Sequence, residues 1–174
     1  MNEPLKRTPM HDAHVAAQGK MVPFAGFSMP VQYPAGITAE HKAVREAAGL
    51  FDVSHMGEFM LRGPQALDLI QRVTVNDASK MEVGQAQYSA MCMENGGVVD
   101  DLIVYRFADR YMLVVNAANL QKDLAWILEH AAGLDVHVED QSDEIGLLAL
   151  QGPGAREILR PLADLDVDDV KYYR

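Results

Sequence analysis

The sequence predicts an α+β domain in which two helices cover one face of an antiparallel sheet. Three observations carry this prediction: a hairpin signal at residues 95–96, several short strand-like runs, and two amphipathic helices between them. From residue 57 to residue 139 the segments follow the order β-α-β-β-β-α-β. This is the ferredoxin-like split βαβ order with one extra antiparallel strand, and it leaves the second sheet face free for a partner or a ligand.

The composition bounds the possible functions. The chain has 174 residues, 49% of them hydrophobic, which is enough for one large domain or for one domain and part of another. Its formal net charge of −10 argues against nucleic acid or an anionic membrane surface as the main partner, and any anionic ligand would need local cations. The single cysteine excludes an intramolecular disulfide framework. The N-terminus lacks an apolar signal core, and its initiating Met favours a bacterial cytoplasmic location.

The elements before residue 57 are predicted to be short. A first helix is expected around His11 and His14, which could share one helix face. No third ligand accompanies them, so we expect surface histidines and no metal site. The proline-rich stretch 21–35 predicts a short strand followed by an extended loop. Thr38 is expected to cap a helix that ends at Gly49.

The later elements are predicted from periodicity and from helix-start signals. Pro64 suits the first position of a helix, and Asn116 or Asn119 is expected to start a second helix that ends near Ala132. Residues 152–154 (Gly-Pro-Gly) precede a further helix and lack the lysine and hydroxyl of a phosphate-binding loop. The remaining strands are expected at residues 58–62, 110–116, 135–138 and 145–150.

The central hairpin is predicted from residues 95–96 (Asn-Gly), because both central positions of a type I′ turn need a positive φ. A two-residue loop pairs Tyr88 with Ile103 and Ala90 with Asp101. Side chains alternate across a strand, so the residues on the Asp101 side form one face. That face is expected to carry Tyr88, Val99, Asp101, Ile103 and Tyr105.

Asp101 is the unusual member of this face. Aspartate is disfavoured in strands, and a charge among apolar groups is costly unless it is hydrogen-bonded. Asp101 either bonds a bulge amide or a tyrosine hydroxyl with no further role, or it serves a functional site. The neighbouring Asp100 points to the opposite face and is expected to be a solvated or structural acid.

The segments GLFDVSHMGE, QYSAMCMENGGVVDDLIVYR, VVNAANLQKD and LALQGPGA follow one another at a characteristic spacing. Together they resemble the aminomethyltransferase (T-protein) of the glycine cleavage system, and the resemblance covers almost the whole chain. Phe27 departs from the family, which usually has Trp there. The family is also about twice as long. Because the chain ends on Tyr172-Tyr173-Arg174, which looks like a strand beginning, we expect a fragment that lacks the C-terminal half of the family.

The resemblance implies tetrahydrofolate chemistry. A family member takes an aminomethyl group from the lipoyl arm of the H-protein and transfers the methylene to tetrahydrofolate, without a metal. The products are 5,10-methylenetetrahydrofolate, ammonia and the dihydrolipoyl H-protein. The resemblance implies that Asp101 is catalytic: it would bond folate near its reactive nitrogens and stabilise the cation formed as ammonia leaves. The implied folate contacts are Tyr88, Tyr105, Met56, Asn116 and Tyr173.

The resemblance also implies a domain organisation, a three-domain cloverleaf around a folate channel. Residues 1–56 and 140–174 would form part of a first, α+β folate-binding domain, and residues 57–139 the ferredoxin-like domain. The cations that meet the folate carboxylates would lie in the absent half, so we expect this chain alone to bind folate weakly and to turn over little or not at all. The alternatives are a folate-dependent demethylase and a non-catalytic folate-binding or interaction module of the same fold.

Overall fold

A computed structural model describes residues 4–174 of the chain. Its helices are α1 (His11–Ala16), α2 (Ile37–Glu46), α3 (Ala66–Val73), α4 (Leu120–Ala131) and α5 (Ala155–Leu159). Its strands are β1 (Met21–Phe24), β2 (Phe27–Pro30), β3 (Gly49–Asp52), β4 (Gly57–Arg62), β5 (Ala86–Cys92), β6 (Val98–Arg106), β7 (Tyr111–Val115), β8 (His137–Asp140) and β9 (Leu148–Gln151). Short 3-10 helices cover Ala78–Lys80, Ala117–Asn119 and Arg160–Leu162.

The chain divides into two compact units. Unit 1 consists of His55 and the residues before it, together with Gly146–Lys171. Unit 2 consists of Met56–Ile145 together with Tyr172–Arg174. Within residues 4–174, none of the helices combines the length and the apolar character that crossing a membrane would require.

Unit 2 is a five-stranded antiparallel sheet with the strand order β5-β6-β7-β4-β8. The predicted order β-α-β-β-β-α-β is confirmed, with β5 as the extra strand at one edge. Helices α3 and α4 pack on one sheet face because each has an apolar stripe at helical spacing. The fully buried side chains of this core include Phe59, Leu61, Leu69, Ile70, Leu113 and Ile127.

The turn of the central hairpin differs from the prediction. The Met93 amide donates to the Gly97 carbonyl at 2.7 Å, and the Gly96 amide donates to the Met93 carbonyl at 2.9 Å. Among the loop residues 94–96, only Gly96 has a positive φ, of 84°, so the connection is a three-residue loop with glycine in the left-handed position. The predicted two-residue type I′ turn is therefore wrong.

A β-bulge restores the predicted register beyond this turn. Cys92 pairs with Val98, but Met91 pairs with Asp100, which leaves Val99 without a partner across the ladder. From there Tyr88 pairs with Ile103 and Ala90 with Asp101, as predicted. The bulged Val99 packs into the helix-covered core, so the prediction that it shares the Asp101 face is wrong.

Unit 1 contains two strands that the sequence did not predict. β2 follows β1 through a tight turn, and the two form a two-stranded sheet in which Pro23 and Pro30 are tolerated. β3 pairs with β9, almost 100 residues further along the chain, so no local signal announces it. The residue before α2 is Gly36, with φ of 86°, and no side chain caps this helix, so the predicted Thr38 cap is wrong.

His14 is buried, contrary to the expected surface position. Its Nδ1 lies 2.7 Å from the Tyr33 hydroxyl and its Nε2 lies 2.9 Å from Asp52 Oδ2. Burial acts to raise the pKa of Asp52, but hydrogen bonds from Thr8, His14 and Ser54 outweigh it and lower that pKa to about 2. The bond between His14 and Asp52 joins α1 to β3, and His14, Tyr33 and Asp52 line a cavity of about 530 Å³ whose lining residues all belong to unit 1.

Candidate functional site

The predicted site residues all lie in unit 2, on or beside the sheet face that the helices leave free. The register places Tyr88, Ile103, Val114 and Glu58 in one row across β5, β6, β7 and β4. The β5 end of this row is open, with Tyr88 54% exposed, and the β4 end is closed, with Glu58 fully buried. The face is thus a sheltered apolar surface with an accessible edge.

Asp101 is held at both carboxylate oxygens. The Tyr88 hydroxyl donates to Oδ2 at 2.7 Å, and the Asn116 amide donates to Oδ1 at 2.9 Å. Asn116 also contacts the Asp101 carbonyl at 3.2 Å. One donor comes from β5 and the other from the residue after β7, so two neighbours of β6 orient the carboxylate. Asp101 keeps partial solvent exposure and lies where a ligand on this face could meet it.

Two tyrosines on this face supply hydroxyl groups and flat apolar rings, and one of them, Tyr88, contacts Asp101. The hydrogen bond to Asp101 raises the pKa of Tyr88, because the donated proton is harder to remove. Burial raises the pKa of Tyr105, which lies on the same face two residues after Ile103. Both phenols therefore stay neutral at physiological pH, as donors or acceptors of hydrogen bonds.

Tyr173 joins the open edge of the same sheet. Its carbonyl accepts the Ala86 amide of β5 at 2.9 Å, and its backbone has φ of 58°. Its ring meets that of Tyr172 edge-on at 4.6 Å, and Arg174 forms an ion pair with Glu82. Residues 172–174 do not form the predicted strand, since the left-handed backbone at Tyr173 interrupts an extended run.

Met56 and Asn116 lie at the same end of the two central strands. Gly57 pairs with Val115, so Met56, just before β4, and Asn116, just after β7, leave the sheet side by side. A side chain at Gly57 would collide with Val115 at 2.8 Å, which keeps this end closely packed. Asn116 is bonded directly to Asp101, whereas Met56 offers an apolar side chain that is only partly buried.

Unit 2 also contains two buried acids that were not predicted from the sequence, Glu58 and Asp123. Glu58 is fully buried, and within residues 4–174 neither of its carboxylate oxygens has a hydrogen-bond partner; burial raises its pKa to about 7. Asp123 is also fully buried and lies on the apolar stripe of α4, three residues after Leu120 and four before Ile127. A charged residue on an apolar stripe is a signal that could have identified Asp123. Glu58 had no comparable signal.

The arrangement suits recognition of a flat, polar heterocycle next to a developing positive charge. An oriented carboxylate can accept hydrogen bonds from ring nitrogens and can stabilise a cation, and phenol rings supply apolar contact area. Within residues 4–174 there is no group of three or more His, Cys, Asp or Glu side chains arranged to hold a metal ion.

Known proteins share both the sequence and the fold of this chain. The profile of the GCVT N-terminal domain matches residues 10–174. An aminomethyltransferase from Symbiobacterium thermophilum is 61% identical over 167 residues, covering 94% of this chain and 44% of that protein. The Bacillus subtilis aminomethyltransferase is 53% identical over 168 residues, covering 96% of this chain and 46% of that protein.

A solved structure extends the comparison to three dimensions. The crystal structure of glycine cleavage system aminomethyltransferase T from Bartonella henselae superposes with a TM-score of 0.92 at 38% identity, covering 98% of this chain and 47% of that one. The mixed α/β fold with antiparallel sheets is thus confirmed, and the chain spans about half the length of the curated relatives it matches. The chain therefore belongs to the GCVT N-terminal domain family, the aminomethyltransferase family of the glycine cleavage system.

Proposed function

We propose that this chain carries the tetrahydrofolate-binding face of an aminomethyltransferase. The substrate would be the aminomethyl-dihydrolipoyl arm of an H-protein. The methylene carbon exchanges its bonds to sulfur and to the amino nitrogen for bonds to N5 and N10 of tetrahydrofolate. The two protons displaced from N5 and N10 leave on the thiol and on ammonia, so the reaction balances without a metal or a redox partner.

The observation that carries the proposal is the oriented carboxylate of Asp101. Tyr88 and Asn116 bond its two oxygens from opposite sides, so its orientation is set before a ligand arrives. A fixed anion on a partly apolar face favours the iminium-like cation that forms as ammonia leaves. Tyr105, Tyr173 and Met56 would add ring and apolar contacts for the pterin and its linker.

The net charge of −10 bears on the affinity. Folate carboxylates are anionic, and an acidic chain repels them unless cations are placed nearby. Since the chain spans about half of its relatives, we propose that most of these cations lie outside these residues. The chain alone should then bind tetrahydrofolate weakly and show little turnover. The relatives named above are bacterial, and we propose a cytoplasmic location.

The test is calorimetric titration of tetrahydrofolate into this chain and into Asp101→Asn, which keeps the shape and removes the charge. We expect an affinity at least about tenfold weaker in the variant, the loss typical of one charge-assisted hydrogen bond. Asp109→Asn, the same change on an exposed loop residue, is the matched control. Equal affinity of Asp101→Asn and the parent would refute the placement of folate at Asp101.

A second variant tests the orientation of the carboxylate. Tyr88→Phe removes the hydroxyl that bonds Asp101 Oδ2 and keeps the ring. Because Tyr88 is largely exposed, removing its hydroxyl group should leave folding intact. The same change should weaken tetrahydrofolate binding by about fivefold. H-protein-dependent turnover, measured with the corresponding substitutions in a complete relative, separates a transferase from a module that only binds folate.

A further inference from the structure

Two buried acids, Asp100 and Asp123, lie on the helix-covered side of the sheet, opposite the face that carries Asp101. Asp123 of α4 is completely buried, and within the described part of the chain neither of its oxygens receives a hydrogen bond from a donor group. Asp100 of β6 is only 8% exposed, and within the same residues its Oδ2 also receives no hydrogen bond from a donor group. Two buried carboxylates facing each other with free oxygens are unfavourable unless a proton lies between them.

Lys122, the residue before Asp123, donates to the carbonyl of Val99, the residue before Asp100, at 2.6 Å, so α4 brings Asp123 close to Asp100. Burial, the hydrogen bond to Asp100 and the negative charge of Asp100 raise the pKa of Asp123 to about 8. Burial acts to raise the pKa of Asp100 as well, but bonds from Asp123, Asn119 and Asn116 outweigh it and hold that pKa below its ordinary value. The two environments therefore favour a neutral Asp123, which can donate a hydrogen bond, and a charged Asp100, which can accept it.

The charges around the pair explain why the proton stays. Asp101 on β6 adds a second negative charge, which also raises the pKa of Asp123. The nearby cation is Lys122 on α4, whose ammonium donates to the Val99 carbonyl at the bulge at 2.6 Å and acts against the shift. Ionised Asp123 would therefore place three carboxylates beside one ammonium group in a buried region.

The acid pair is connected to Asp101 through Asn116. The Asn116 amide nitrogen lies 3.2 Å from Asp100 Oδ1 and 2.9 Å from Asp101 Oδ1. One amide group thus bridges an acid on each sheet face, and its orientation depends on both. Displacing Asp100 would pull the amide away from Asp101.

We propose that protonated Asp123 is a positioning residue: it donates to Asp100, which holds Asn116 in the orientation that fixes the Asp101 carboxylate. The consequence for folate rests on the function proposed above, whereas the proton shared by Asp123 and Asp100 does not depend on folate binding. When Asp123 loses its proton in alkaline solution, repulsion between the two carboxylates releases Asn116. Asp101 then loses one of its two donors, and ligand binding weakens although no ligand group has titrated.

The first arm of the test is carbon-13 NMR of this chain labelled at the aspartate carboxyl carbons. We expect one carboxyl resonance to titrate near pH 8 and to disappear in Asp123→Asn, whose amide can donate to Asp100 but cannot ionise. The Asn116 side-chain amide signals should shift with the same midpoint in the parent and stay constant in Asp123→Asn. If all aspartate resonances titrate below about pH 5, the ordinary range of the residue, the shared proton is refuted.

The second arm measures tetrahydrofolate affinity by calorimetry between pH 7 and pH 9. The parent should weaken several-fold over this range, Asp123→Asn should stay within about twofold throughout, and Asp123→Ala should be about tenfold weaker already at pH 7. Equal losses in the Asn and Ala variants would mean that Asp123 acts by packing alone and would overturn the proposal. If the parent binds no tetrahydrofolate, the proposed function fails, and the Asn116 amide shifts still decide whether Asp123 positions the network.

Discussion

Glu58 offers a direct test of the packing on the closed part of the sheet face. Its side chain is fully buried without a partner among residues 4–174, whereas its backbone is satisfied by Ser142 and Gln141. Burial, assisted by the charge of Asp140, raises the pKa of Glu58 from 4.5 to about 7. Glu58→Gln keeps the shape and removes the ionisation, so it isolates the energetic cost of charging this position.

The sign and size of the effect follow from linkage. Above pH 4.5 the unfolded chain releases this proton, whereas the folded chain keeps it until about pH 7. The free energy of unfolding therefore falls as pH rises through this window and is level above it. Raising the pKa of Glu58 from 4.5 to about 7 lowers the free energy of unfolding of the charged form by about 3 kcal/mol, at about 1.36 kcal/mol for each tenfold change in the acid constant. Glu58→Gln should thus match the parent near pH 4.5 and exceed its stability by up to about 3 kcal/mol above pH 7.

The assay is urea denaturation followed by fluorescence. The chain has one tryptophan, Trp126 in α4, so the signal reports on the unit that contains Glu58. The neighbouring His130, with ring centroids 4.3 Å apart, affects the fluorescence intensity but not the midpoint of each curve. Glu94→Gln, the same change in the exposed hairpin loop, is the matched control. Parallel stability curves for the parent and Glu58→Gln between pH 5 and pH 8 would refute the reasoning.

Two further predictions concern unit 1. Gly152→Ala should cost at least about 2 kcal/mol of stability, because φ is 107° and a Cβ would lie 2.6 Å from a carbonyl oxygen of α2. Gly26→Ala is the control, because Gly26 has φ of 85° but open space around it, and it should cost about 1 kcal/mol. Thermal unfolding followed by circular dichroism measures both losses, and an equal loss of stability in the two variants would contradict the clash at Gly152. His14→Ala should cost about 1–3 kcal/mol above pH 4, where Asp52 is charged in both states, and less as acid protonates it. Hydrogen exchange of the α1 and β3 amides measures this loss, and unchanged protection would show that the bond is dispensable.

The central hairpin shows how far local patterns reach. The Asn-Gly signal located the turn, and alternation correctly predicted that Tyr88 pairs with Ile103 and Ala90 with Asp101. The turn type was wrong, and the bulge at Val99 compensated for the difference of one residue. At the bulge, the Val99 carbonyl accepts a hydrogen bond from Lys122 of α4, a helix that is distant in sequence. Such a contact has no trace in the local sequence.

The contacts of Asp101 could likewise be predicted only where they come from a neighbouring strand of the same hairpin. The sequence placed a carboxylate beside a tyrosine, and the bond from Tyr88 is the contact that a purely structural interpretation also predicts. The second donor, Asn116, directly follows β7, whose neighbouring strands are set by the order of the sheet. The support from Asp100 and Asp123 requires the packing of α4 on the sheet. Asp100 is thus a buried, bonded acid, and the solvated alternative is wrong.

The sequence by itself determined the order of the elements in unit 2, the hairpin register and the family, because these depend on periodicity, turn chemistry and short specific segments. The tertiary structure decided which strands meet and which polar groups lose water. The pairing of β3 with β9 and the burial of His14 and Glu58 are examples. The free energies of strand pairing and of desolvation depend on contacts with residues that are distant in sequence. A pattern within one segment therefore carries no information about them.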